Sequence, residues 1–158
     1  MNKTLALVLA SLAIAVAQPS PSGQMKVNGK IFKITNAYGY AAEGFFDKKK
    51  DDTVVLLTDR PLTDGQIRDE FGIRRLAEDG KLNFVKATVN ASGQLISFVV
   101  GSSAFKAIPS GGGTEHVFEG TQDGKTIAGK VRTKSEQQFF GTKYEYEVSF
   151  RVPVQARK

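Results

Sequence analysis

The chain of 158 residues has no cysteine and no tryptophan, and its only histidine is His116. The missing thiols exclude disulfides, thiolate zinc sites, iron–sulfur clusters, cysteine nucleophiles and an acylated lipoprotein cysteine. A single imidazole excludes any site that needs two. Hydrophobic residues make up 41% and charged residues 24%, which rules out a collagen-like, coiled-coil or wholly disordered chain. A chain of this length can bury one core without covalent staples. No residue set calls for a cofactor or a metal.

Long apolar runs are also missing. The longest, Thr4–Val16, falls short of the roughly 20 residues that cross hydrocarbon. It follows a basic start at Lys3 and leads to Ala15-Val16-Ala17, an A-x-A cleavage site. Residues 1–17 therefore read as a secretory signal peptide, with a mature chain starting at Gln18 and carrying no transmembrane anchor. The expected address is periplasmic or extracellular. Residues 18–23, with Pro19 and Pro21, read as a flexible lead-in, and 24–158 as one β-rich domain.

What is there is mostly period two. Asn28-Gly29 between apolar-alternating arms marks a hairpin, since both residues tolerate positive φ. The second arm is expected to run on through Tyr38, Tyr40 and Phe45, with a bulge near Gly39 or Gly44. Thr53–Thr58 is apolar on both faces and predicts a doubly buried strand. Thr63-Asp64-Gly65-Gln66 fits a capping box and opens the one helix candidate, Thr63–Phe71, bent and continuing to Glu78. In that helix Ile67 and Phe71 would share a face. Hairpins follow at Ala91–Gly93 and Gln122–Gly124. Thr142–Val152 alternates cleanly: Tyr144, Tyr146, Val148, Phe150 and Val152 face one way, with Lys143, Glu145, Glu147, Ser149 and Arg151 opposite. Pro153 is expected to end that strand. The fold class predicted is mainly β, an antiparallel sandwich or partly open barrel of about eight strands with one short helix.

Three stretches, Val27–Lys30, Asn36–Ala41 and Leu57–Leu62, together resemble small secreted bacterial β-rich proteins of unknown function. Ile127–Val131 followed by Tyr144–Phe150 is similar to their last two strands. The resemblance implies an exported β-rich domain and transfers no catalytic residue.

Candidate chemistry is sparse. Ser103-Ala104-Phe105-Lys106 has the S-x-x-K spacing but lacks the companion motifs of serine acyl enzymes. Gly120–Thr126 has three residues between its glycines where a phosphate loop has four, so it reads as a hairpin. On a strand, His116 and Phe118 share one face while Glu115, Val117 and Glu119 take the other, which separates the imidazole from both carboxylates. His116 is therefore expected at the surface or rim. Asp51-Asp52, Asp69-Glu70 and Glu78-Asp79 read as solvated charges. The formal charge is +6, and Lys130, Arg132 and Lys134 alternate along one strand face. Such a stripe predicts contact with an anionic envelope polymer or lipid surface, while nucleic acid is disfavoured because the aromatics sit in core phase. The expected function is a non-catalytic binding or accessory domain of the cell envelope. The alternatives are a carrier with a β-barrel cavity for a small apolar ligand, and a hydrolase with a dispersed site.

Overall fold

Asn28 and Gly29 adopt φ of 47° and 81° and reverse the chain between β1 (Ser22–Val27) and β2 (Lys30–Lys33). This left-handed pair matches the twist of the two arms, as the Asn-Gly chemistry requires. The computed structural model describes residues 19–158, and the signal segment expected at 1–17 lies outside the described residues. Pairing starts at Ser22, inside the expected lead-in. Next come β3 (Asn36–Glu43), β4 (Asp51–Thr58), α1 (Asp64–Ile67), α2 (Glu70–Glu78), β5 (Phe84–Val89) and β6 (Leu95–Gly101). The chain then forms β7 (Ser110–Gly111), β8 (His116–Gln122), β9 (Thr126–Thr133), β10 (Gln137–Phe139) and β11 (Thr142–Gln155). The excess over about eight strands lies in β2, β7 and β10, which have four, two and three residues.

The sheet curls into an open half-barrel around β11. β1 pairs antiparallel with Tyr144–Ser149, and β9 with Glu147–Pro153 on the other edge. β3 joins the end of β11 in a parallel contact, Val154 opposite Gly39. From β3 the sheet continues antiparallel through β4, β5 and β6 to β7, and from β9 to β8. β6 and β8 meet through side chains, with no ladder between them among the described residues.

Two expectations about strand ends are corrected. β11 does not stop at Pro153. Val154 donates its N–H to the Lys125 carbonyl at 2.7 Å, so strand alternation turns the donor-less Pro153 nitrogen to the other edge, where β3 pairs from Val154 onward. The second hairpin arm does not run on to Phe45. β2 ends at Lys33, and Thr35 donates to the Thr58 carbonyl at 3.0 Å, which hands the chain over to β4. The irregularity in register falls at Thr88/Val89 rather than at Gly39 or Gly44.

The burial phase of β11 is the one read from the sequence: Tyr144, Tyr146, Val148, Phe150 and Val152 are buried. They line the concave core with Met25, Val55, Leu57, Val85, Val100, Ile127 and Val131. β4 is buried on both faces, as expected. Val55 and Leu57 point into the half-barrel, while Val54 and Leu56 lie under Ile67, Ile73 and Ala77 of the helices. Gly101 faces Phe84 in this outer layer, and a Cβ there would run into the Phe84 ring.

The helix is two pieces. Gln66 Oε1 accepts from Thr63 N–H at 2.9 Å and from the Thr63 hydroxyl at 3.1 Å, the reach-back half of the expected capping box. After α1 the chain restarts at Asp69, whose carboxylate accepts from Gly72 N–H at 2.9 Å and caps α2. The break undoes the i, i+4 relation: Ile67 is buried, whereas Phe71 is 88% exposed.

Phe150 is core and Glu147 is on the convex face. Phe150→Ala is expected to cost about 3–5 kcal/mol and Glu147→Ala under about 1. Urea unfolding midpoints measure both, and comparable shifts would contradict the assigned phase.

Candidate functional site

His116 is not at the rim. It is buried at 5% exposure, on the concave face of β8. Alternation along β8 places it as the sequence indicates, but that face is the inside of the half-barrel. The imidazole stacks on Phe98 of β6, with ring centroids 3.4 Å apart. Its Nδ1 lies 2.8 Å from the Tyr146 hydroxyl and its Nε2 3.4 Å from that of Tyr144. A neutral imidazole offers one donor and one acceptor, so one phenol donates to the ring and the other accepts from it. Burial lowers the His116 pKa to about 4, against an opposing pull from Glu115. Burial also pushes Tyr144 up to about 12 and Tyr146 higher still. All three groups are neutral at pH 7. Both ring nitrogens are taken and the ring is covered, so His116 acts as a polar rivet across the β6–β8 seam.

The sequence-predicted stripe divides differently. Lys130 and Arg132 do share the convex face of β9. Lys130 Nζ sits 3.1 Å from Glu147 on β11, and Arg132 sits 2.6 Å from Glu119 on β8. The Arg132 guanidinium holds the Glu119 carboxyl below its usual range. Lys134, just past β9, is exposed and has no carboxylate partner among the described residues. The three side chains are thus two cross-strand ion pairs and one free cation, not three free cations. An anionic polymer binding there would compete with Glu119 and Glu147. Among the described residues no group of three or more His, Asp or Glu is placed to hold a metal ion.

A concavity of about 390 Å³ lies on the other side of the sheet, where α2 leaves part of the outer face of β4–β6 uncovered. Val54 and Thr88 lie on its floor, and Glu70 and Lys86 form an ion pair at the α2 side. The hydrogen bond from Lys86 holds the Glu70 carboxyl below its ordinary range. Phe45 forms the opposite wall. With Phe46 it makes an edge-to-face pair, centroids 4.9 Å apart, and each ring is 76% exposed. Asp52, read from the sequence as a solvated charge, is 5% exposed and accepts the Phe45 N–H at 2.8 Å. Sequence reasoning assigned Phe45 to a strand and so missed this site; Gly44 and the Asp47–Lys50 run next to two phenylalanines were the available signal.

Unfolded, His116 titrates near 6.5, and folded near 4. Between those values the unfolded chain binds more protons, so stability is complete above pH 6.5 and falls as the pH drops towards 4. The component lost is about 3 kcal/mol. His116→Phe keeps the stack on Phe98 and removes the titration. Its unfolding free energy is expected to be lower at neutral pH and flatter between pH 6.5 and 4; profiles running parallel to wild type would contradict the assignment.

Compared with protein-family models, with characterised proteins and with solved structures, the chain matches none.

Proposed function

We propose that the chain is an exported, non-catalytic binding domain of the cell envelope that engages its partner through the groove beside α2 and the aromatic pair on its rim. The observation that carries this reading is the way Phe45 and Phe46 are held. Two large apolar rings in water are a cost unless something covers them. Their loop is not loose. Asp52 pins Phe45, Asp47 accepts the Lys49 N–H at 3.0 Å, and the Lys50 N–H reaches the Asp47 carbonyl at 3.0 Å. Gly44 lets the loop fold back tightly, since a Cβ there would meet the Asp47 and Lys50 carbonyls. A rigid aromatic anchor beside a groove loses little freedom on binding, and aromatic anchors dominate contact energies.

The half-barrel interior argues for surface contact over an enclosed apolar cargo. It is filled by Phe98, Phe105, Tyr144, Tyr146 and Phe150. The engagement of His116 by two phenols speaks against its use as a general base. Export rests on the Lys3, apolar and A-x-A succession of residues 1–17 and on the resemblance to small secreted proteins.

The test is capture from envelope extract by immobilised residues 18–158. Wild type is expected to retain a component that Phe45→Ser/Phe46→Ser loses at least about tenfold, the loss of roughly one buried aromatic anchor. Lys130→Ser/Arg132→Ser/Lys134→Ser is expected to retain it. Equal capture by the wild type and the double phenylalanine variant contradicts the groove reading. Intact mass of the exported chain is expected to begin at Gln18; a mass that retains Met1–Ala17 contradicts cleavage.

A further inference from the structure

We infer that the β10–β11 turn, with Phe140 at its tip, is a contact for a bilayer surface bearing anionic headgroups. Phe140 has φ of 46° and Gly141 has φ of 81°. Asn28 and Gly29 take nearly the same pair of angles, 47° and 81°. The chain therefore builds one turn geometry twice, once with the residue that tolerates it and once with a bulky aromatic. A phenylalanine in the left-handed region is strained, and Asn, Asp or Gly would relieve it. The strain brings no burial in return, because the Phe140 ring is 71% exposed. Strain held on an exposed side chain points to use outside the fold.

The surroundings indicate what that use is. Asn28 N–H donates to the Lys143 carbonyl at 2.8 Å, and Lys143 N–H donates to Asn28 Oδ1 at 2.9 Å. The Thr142 hydroxyl donates to the Ala104 carbonyl at 3.2 Å. Three loops are thereby tied together at one end of the half-barrel. They carry Lys30, Lys106 and Lys143, all exposed. Lys143 pairs with Glu136 at 3.4 Å, while Lys30 and Lys106 have no carboxylate partner among the described residues. Phe139, edge-on to Phe140 at 4.7 Å, packs on the core and anchors the turn.

An exposed apolar ring on a turn whose tied neighbouring loops carry lysines fits an interface of acyl chains and anionic headgroups better than it fits a groove on another protein. Each lysine near such a surface adds about fivefold to partitioning, and insertion of the ring at least about tenfold. Three lysines and the ring together multiply to on the order of 10³-fold, a weak and reversible contact below that of a single acyl chain. This contact is separate from the groove. β3 runs parallel to β11 and ends beyond it, so the Phe45 loop lies at the opposite end of the half-barrel.

The experiment is sedimentation of residues 18–158 with phosphatidylcholine vesicles, with and without phosphatidylglycerol, at low and high salt. Wild type is expected to bind only the phosphatidylglycerol vesicles, and less as salt rises. Phe140→Asn is expected to lower partitioning at least about tenfold while raising Tm, because it relaxes the turn. Lys30→Gln/Lys106→Gln/Lys143→Gln is expected to abolish the preference for phosphatidylglycerol. Absence of binding at low salt overturns the inference, as does equal binding by Phe140→Asn. A lower Tm for Phe140→Asn would show that the ring serves the fold and overturns it equally.

Discussion

The backbone ladder along β11 sets the rest of the structure. Its residues pair with β1 and β10 at the start, with β9 on the opposite edge and with β3 at the end. A strand shared in this way turns two antiparallel arms into one curled sheet. It also forces strict alternation, because a slip of one residue would send Tyr144, Tyr146, Val148, Phe150 and Val152 to water. Two of the edges left by incomplete closure are short or charged: β7 has two residues, and β2 carries Lys30 and Lys33. Both features discourage strand addition by another chain.

With the sheet fixed by β11, the places that face outward become fixed platforms. The helices cover only part of the outer face of β4–β6, and the uncovered part is the groove beneath Phe45. The seam between β6 and β8 relies on side chains, the His116–Phe98 stack and the Gln122 amide donating to the Asn90 carbonyl at 2.5 Å. The Gln122 side-chain oxygen is buried with no partner, so this end of the seam is incompletely satisfied. Phe45, Phe46 and Phe140 sit on hydrogen-bonded turns at the two ends of the half-barrel, whereas the exposed Phe71 lies on α2.

Much of this was legible in the sequence where the signal is local. Alternation assigned the faces of β11, Asn28-Gly29 marked the β1–β2 turn, and the doubly apolar run Thr53–Thr58 announced a strand covered on both sides. What escaped depended on partners distant in the chain. The parity of His116 was correct, but Tyr144, Tyr146 and Phe98 could not be placed around it without the register of three strands. The same holds for Lys130 and Arg132, whose acidic partners lie on β11 and β8. Phe71 was misplaced for a different reason. Asp69 competes for the cap of a new helix, and one restart rotates every later residue off the expected stripe. The Phe140 strain was invisible because turn type depends on the length of β10, a strand of three residues.

Native-state hydrogen exchange tests the dependence on β11 most directly. A shared strand buried in the core opens only with the whole domain. Amides of Tyr146–Val152 are predicted to exchange in the slowest class, with a free energy equal to that of global unfolding. Amides of β8 along the seam are predicted to exchange through smaller openings. Exchange of Tyr146–Val152 by local opening, while the β4–β5 ladder stays protected, would contradict that dependence.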